Sequence, residues 1–125
     1  MLKDHDSSAI LAVANLDRAH AFYGDVLGLE LAEQGKEEGV KVYRTGATRL
    51  AVYVSEFAGT NRANAAVWGV GDDLDAIVAA LEAKGAQFEH YPDIGRLEGN
   101  VHHAAGMKLA WLKDPDGNIL HLNSM

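Results

Sequence analysis

Apolar and polar positions along this chain describe the same succession of elements twice. Residues 9–13 are a short apolar run, the pattern of a buried strand. Asn15 and Asp17 are both cap-forming residues, and Ala19, Phe22, Tyr23, Val26 and Leu27 then recur at helical spacing as one apolar stripe. Gly28 ends that helix where a left-handed residue is often required. Residues 29–32 begin a strand. Residues 39–44 and 50–55 read as two more, separated by the turn Thr45-Gly46-Ala47.

The second half repeats the order. Residues 65–70 read as a strand. Asp72 or Asp73 caps a helix whose stripe is Leu74, Ile77, Val78 and Leu81, and Gly85 ends it. Residues 86–91 are the next strand. Residues 108–112 and 118–123 form a hairpin across Asp114-Pro115-Asp116-Gly117-Asn118, in which Pro115 presets the turn. The expected fold class is α+β: two repeated β-α-β-β-β modules forming a curved mixed sheet around a cleft, with helices on the outer face. The first module spans 1–56, the linker 57–64 and the second module 65–125, together one domain. Residues 92–106, polar and punctuated by Gly95, Gly99 and Gly106, read as a long loop. Such a loop is either a lid over the cleft or a surface excursion.

Composition narrows the function classes. A net charge of -7 with no basic run argues against nucleic acid and against an anionic membrane surface. No stretch approaches the ~18 apolar residues of a membrane span, and residues 1–6 carry no apolar signal core. The chain has no cysteine, which removes disulfides, thiolate metal sites and cysteine nucleophiles. A cytoplasmic location is the matching expectation.

Three groups of residues resemble the vicinal oxygen chelate superfamily, which includes glyoxalase I, extradiol dioxygenases, fosfomycin resistance proteins and bleomycin-binding proteins. They are Val13-Ala14-Asn15-Leu16-Asp17 with Ala21-Phe22-Tyr23-Gly24-Asp25-Val26-Leu27-Gly28-Leu29; Val70-Gly71-Asp72-Asp73-Leu74 with Leu81-Glu82-Ala83-Lys84-Gly85; and the stretch from Trp111 to Asn118. The ordered set covers almost the whole chain and specifies fold more than function, because this fold hosts lyases, dioxygenases, transferases and pure binders. The resemblance also implies a homodimer.

Metal-dependent members of that superfamily place four side chains, usually His and Glu, from four strands into the cleft. The resemblance puts those positions at Ser8, Tyr53, Ala65 and His121. Strand alternation agrees, since it leaves these residues opposite the core-facing set. A catalytic divalent metal takes about three His or carboxylate ligands. The expectation is therefore no metal and no cofactor. A relocated site built from His103, His121 and Glu98 is the alternative, set against His102 and His103 as solvated loop histidines.

Without a metal, the cleft is lined by Ile10, Ala12, Ala51, Tyr53, Ser55, Ala65, Val67 and His121, an apolar trough with a few polar handles. Trp111 either stacks on a planar ligand or fills the core. Arg44 and Arg49 either meet an anionic ligand or lie on the surface. Two readings follow. One is a metal-free small-molecule binder that sequesters a planar organic compound. The other is a glyoxalase-like lyase, isomerase or dioxygenase that uses His121 as base, with Tyr53 polarising an oxygen, or an unrecognised metal site.

Overall fold

The computed structural model describes residues 1–32 and 38–125. The chain divides into two compact units, Met1–Thr60 and Asn61–Met125. Both follow the strand–helix–strands order of the sequence pattern, each with its own mixed sheet, so the class is α+β.

The N-terminal sheet has the order β1-β4-β3-β2, with β1 Ala9–Val13, β2 Glu30–Leu31, β3 Val40–Thr45 and β4 Thr48–Val54. β1 runs parallel to β4, and the other pairs are antiparallel. Alternation puts Leu11, Val13, Tyr43, Leu50 and Val52 on one side, all buried. Their partners are Ala19, Phe22 and Tyr23, also buried. Each such Leu, Val or Phe contributes about 1.5–3 kcal/mol relative to exposure.

The first helix is shorter than its stripe suggests. Asn15 caps α1 (Leu16–His20) by accepting from the Arg18 backbone N–H at 2.9 Å. Residues Ala21–Val26 then continue as a wider π-helical turn. His20 helps to hold this turn. Its Nδ1 lies 2.8 Å from the Tyr43 hydroxyl, and its ring sits where a side chain on Gly24 would be. A Cβ at Gly24 would lie 2.6 Å from His20 Cε1. His20 is thus half-buried and a partner of the core, although it lies between the apolar positions of the stripe.

The C-terminal sheet has the order β5-β10-β9-β8-β7: β5 Asn64–Gly69, β7 Arg96–Glu98, β8 Val101–Ala104, β9 Met107–Lys113 and β10 Ile119–Asn123. β6 (Gln87–Glu89) shares one edge of β9 with β8. Leu74, Val78 and Leu81 of α2 (Leu74–Ala83) are buried, as are Ala110, Leu112, Leu120 and Leu122. Asp72 and Asp73 lie in a 3-10 turn ahead of α2, and Asp73 makes no side-chain cap bond.

Residues 92–106 are not a single loop. They hold the β7–β8 hairpin, and His102 is fully buried within it. Alternation in the short run Val101-His102-His103-Ala104 is obscured by its two histidines, so the run reads as polar. Its strand character comes from pairing with β9.

Asp114 organises the β9–β10 turn. Its carboxylate accepts from the Asp116 N–H (2.9 Å), the Asn118 N–H (2.8 Å) and Asn118 Nδ2 (2.8 Å). Gly117 takes the left-handed conformation (φ 83°) that closes the turn. This turn sets the register in which His121 lies directly across from Trp111. Among the described residues no helix is long and apolar enough to cross a membrane.

Candidate functional site

Each sheet keeps one side for its helix, and the other side exposes Ile10 and Tyr53 on the N-terminal sheet and Val67 on the C-terminal sheet, where Trp111, His102 and Asn123 are nevertheless buried. On the N-terminal sheet, Ile10 is 65% exposed and Tyr53 36%, with Ala12, Ala51, Val42 and Val40 half-buried around them. The register places Ala12 beside Tyr53, and Val40 and Val42 opposite Tyr53 and Ala51. Ser8 precedes β1 and is exposed. Ser55 follows β4, and its hydroxyl accepts from the Phe57 N–H at 3.1 Å, so it helps to form a turn.

On the C-terminal sheet, Val67 and Trp111 flank His121 on β5 and β9. Val67 is 61% exposed, whereas Trp111 is buried. The His121 ring stacks on Trp111 with centroids 4.6 Å apart and planes inclined by 22°. The edges of Trp111 meet Tyr91 at 5.1 Å and His102 at 4.9 Å, both nearly perpendicular. Trp111 therefore belongs to the open side but is covered by its own neighbours. It supports His121 rather than presenting a bare platform to a ligand.

His121 is oriented at both ring nitrogens. Nδ1 lies 3.2 Å from the Ala110 carbonyl, which can only accept, so Nδ1 carries the proton and Nε2 is the acceptor. Asn123 faces Nε2 through its amide nitrogen at 3.4 Å. The Asn123 amide is itself oriented, because its Oδ1 accepts from the Met125 N–H at 3.1 Å. Burial holds the His121 pKa below the usual 6.5, and the Ala110 carbonyl only partly opposes it. At neutral pH the side chain is an uncharged acceptor.

The other histidines divide by strand alternation. His102 Nε2 accepts from the Tyr91 N–H at 2.9 Å and bridges the break between β6 and β8. Burial lowers its pKa. The Leu109 backbone opposes this and His90 adds to it, while Nδ1 is buried without reaching hydrogen-bond geometry. His103 pairs across the sheet with Arg96 and Lys108 and lies 3.3 Å from Glu98. That is the side opposite His121. His103 and Glu98 are adjacent on one face while His121 lies on the other, so strand pairing does not bring together the three residues of the alternative site, and His103 does not share the face of His121. The buried histidine that meets the Trp111 cluster is His102. Its face is set by the pairing of His102 with Leu109 on β9, which the four-residue run alone does not reveal.

The four metal positions fail a donor test. Ala65 has no donor atom, Ser8 and Tyr53 offer neutral hydroxyls, and His121 alone supplies an imidazole nitrogen. This set does not fit a catalytic divalent metal. Among the described residues, no group of three or more His, Asp or Glu side chains is placed to hold one.

Solved structures resemble this chain along nearly its full length. The bleomycin-binding protein from Streptomyces verticillus, complexed with copper(II)-bleomycin, is 21% identical with a TM-score of 0.71, over 98% of this chain and 97% of that one. A bleomycin resistance determinant encoded on transposon Tn5 is 21% identical, with a TM-score of 0.69 and coverage of 95% and 96%. Lactoylglutathione lyase from Agrobacterium tumefaciens is 20% identical, with a TM-score of 0.70 and coverage of 95% and 92%. No curated protein matches the chain in sequence. The model of one family matches residues 7–122. The chain belongs to the Glyoxalase/Bleomycin resistance protein/Dioxygenase superfamily.

Proposed function

We propose that this protein binds a small, planar organic molecule on a sheet face not covered by its helix, without a catalytic metal, in the manner of a sequestering protein. One observation carries the reading. The non-helix face of the C-terminal sheet presents an oriented, neutral His121 between exposed Val67 and buried Trp111, at one of the four positions where the resemblance would put a metal ligand. An apolar surface with one oriented acceptor suits a planar ligand that carries a donor group. The N-terminal sheet offers a second surface of the same kind around Ile10 and Tyr53. A similar structure named a bleomycin-binding protein, and another named a bleomycin resistance determinant, support small-molecule binding in general.

A thermal-shift screen of planar natural products and small keto compounds tests this, because a ligand of the native state raises its apparent stability. Saturable stabilisation supports the reading. Protein purified without added metal that holds stoichiometric Ni, Zn, Mn or Fe contradicts it.

The orientation of His121 also favours a second reading. A neutral imidazole with Nδ1 anchored and Nε2 as acceptor is the form a general base takes. In this reading the chain is a lyase or isomerase that removes a proton next to a carbonyl. Loss of turnover in His121→Ala, with ligand binding retained, would favour it over sequestration.

A further inference from the structure

We infer that Arg44 and Arg49 form an anion subsite on the open face of the N-terminal sheet, which receives a carboxylate or phosphate group of the bound molecule. The inference rests on the reading of that face as a ligand surface and names the chemistry of one end of the ligand.

Register brings the two arginines together. Arg44 on β3 pairs directly with Arg49 on β4, next to the pair Tyr43 and Leu50. Tyr43 and Leu50 are buried toward the helix, so alternation turns both arginines to the open side with Val42, Ala51 and Tyr53. Residues directly opposite on one face have Cβ atoms about 5 Å apart, and like charges placed so repel each other. In a chain of net charge -7, two arginines paired directly across one sheet face are a local exception.

Their present partners do not satisfy them. Arg44 Nη1 lies 3.2 Å from Glu30 Oε1 in an exposed pair, which solvent screens and a better-placed anion can replace. Arg49 Nη1 donates to the Thr48 carbonyl at 2.8 Å. Its Nε–H is buried without a hydrogen-bond partner. Nε–H belongs to the planar fork by which a guanidinium grips a carboxylate or phosphate with two parallel bonds. Turning that fork outward gives up one hydrogen bond, to Thr48, and satisfies a donor that is now unpaired. The fork then faces the cross-strand Arg44, so an anion between the two removes their repulsion as well.

The subsite also sets the outline of the ligand. Arg49 and Tyr53 are separated by four residues of β4, about 13 Å at strand rise. Between them lie Ala51, Val42 and the β1 residue Ile10, which pairs with Ala51. A molecule with an anionic group at one end and a flat apolar body matches this face. Inorganic phosphate or a simple carboxylate occupies only the arginine end.

Side-chain Nε–H signals of uniformly 15N-labelled protein test the subsite in titrations with benzoate, inorganic phosphate, neutral benzamide and chloride at matched ionic strength. Benzoate or phosphate is expected to shift the Arg49 Nε–H signal saturably, and benzamide and chloride are not. Benzoate moving it without phosphate assigns a carboxylate, and the reverse assigns a phosphate. Arg44→Gln, at an exposed position, is expected to weaken the saturable binding about tenfold or more, the range of one charge-assisted contact. An Arg49 signal that moves equally with chloride, or is indifferent to Arg44→Gln, overturns the subsite. If benzamide nevertheless shifts the Ala51 and Tyr53 amides, the apolar face still binds ligands and only the anion assignment has failed.

Discussion

The His121 ring lies flat against Trp111, 4.6 Å between centroids, while its Nδ1–H is fixed on the Ala110 carbonyl. One side chain is thus held in ring plane, tautomer and depth by its own sheet. That arrangement suits a hydrogen-bond acceptor in a binding surface. It leaves Nε2 facing the Asn123 amide at 3.4 Å.

Trp111 is the support in this arrangement, so its truncation should be felt in stability first. Trp111→Ala is expected to cost about 3–5 kcal/mol, the range for deleting a buried large aromatic. Urea unfolding monitored by circular dichroism measures it. A cost below about 1 kcal/mol would mean that the Tyr91–Trp111–His102 packing is not part of the stable core.

Stability should fall on mild acidification, and the sign follows from the two depressed histidines. Burial lowers the folded-state pKa of both His121 and His102 below 6.5. Between that lowered value and 6.5 the unfolded chain binds more protons than the folded one, so stability rises with pH through this window. It is fully present above 6.5 and is lost as pH falls toward the folded-state pKa values. Urea midpoints from pH 5 to pH 8 should show this slope, and His121→Gln should flatten it. An unchanged slope in that variant would remove His121 from the account.

His20 and Tyr43 give a separable test of the N-terminal unit. Burial and the Asp25 charge push the Tyr43 hydroxyl up to about 12, so it stays protonated and needs a partner. His20→Ala leaves that buried hydroxyl without its 2.8 Å partner and should cost about 1–3 kcal/mol. Adding Tyr43→Phe removes the orphaned group, so the double variant should recover part of the loss. Additive costs in the double-mutant cycle would show that the contact carries no coupling.

The β9–β10 turn depends on one carboxylate. Asp114→Ala removes the acceptor of three hydrogen bonds and should destabilise the protein by about 1.5–3 kcal/mol or more. Asp114→Asn keeps one acceptor oxygen and should lie between the two. Equal stability of all three proteins would dissociate the turn from the register of β10.

Elements with uninterrupted patterns were legible from the chain. The stripe Leu74, Val78 and Leu81, the alternation of Leu50 and Val52, and the Asp114–Asn118 turn each carry their own signal, and all appear where the sequence puts them. Two features were hidden for identifiable reasons. The first helix widens into a π-helical turn over Ala21–Val26, which the i, i+3, i+4 stripe does not reveal, since the stripe assumes a constant 3.6-residue period. β7 and β8 are three and four residues long, too short for alternation to stand out. That is why His102 and His103 could not be assigned to opposite faces without the pairing to β9. The pairing of Arg44 with Arg49 was equally invisible, because it depends on the hairpin register.

Metal-free binding of an organic ligand on a sheet face should survive removal of every divalent cation. Calorimetric titration of a planar ligand from the thermal-shift screen, into protein with and without prior treatment by a chelator, tests it most directly. The same affinity and stoichiometry are expected in both samples. Binding that disappears after chelation, and returns with one equivalent of Zn, Ni, Mn or Fe, would contradict it.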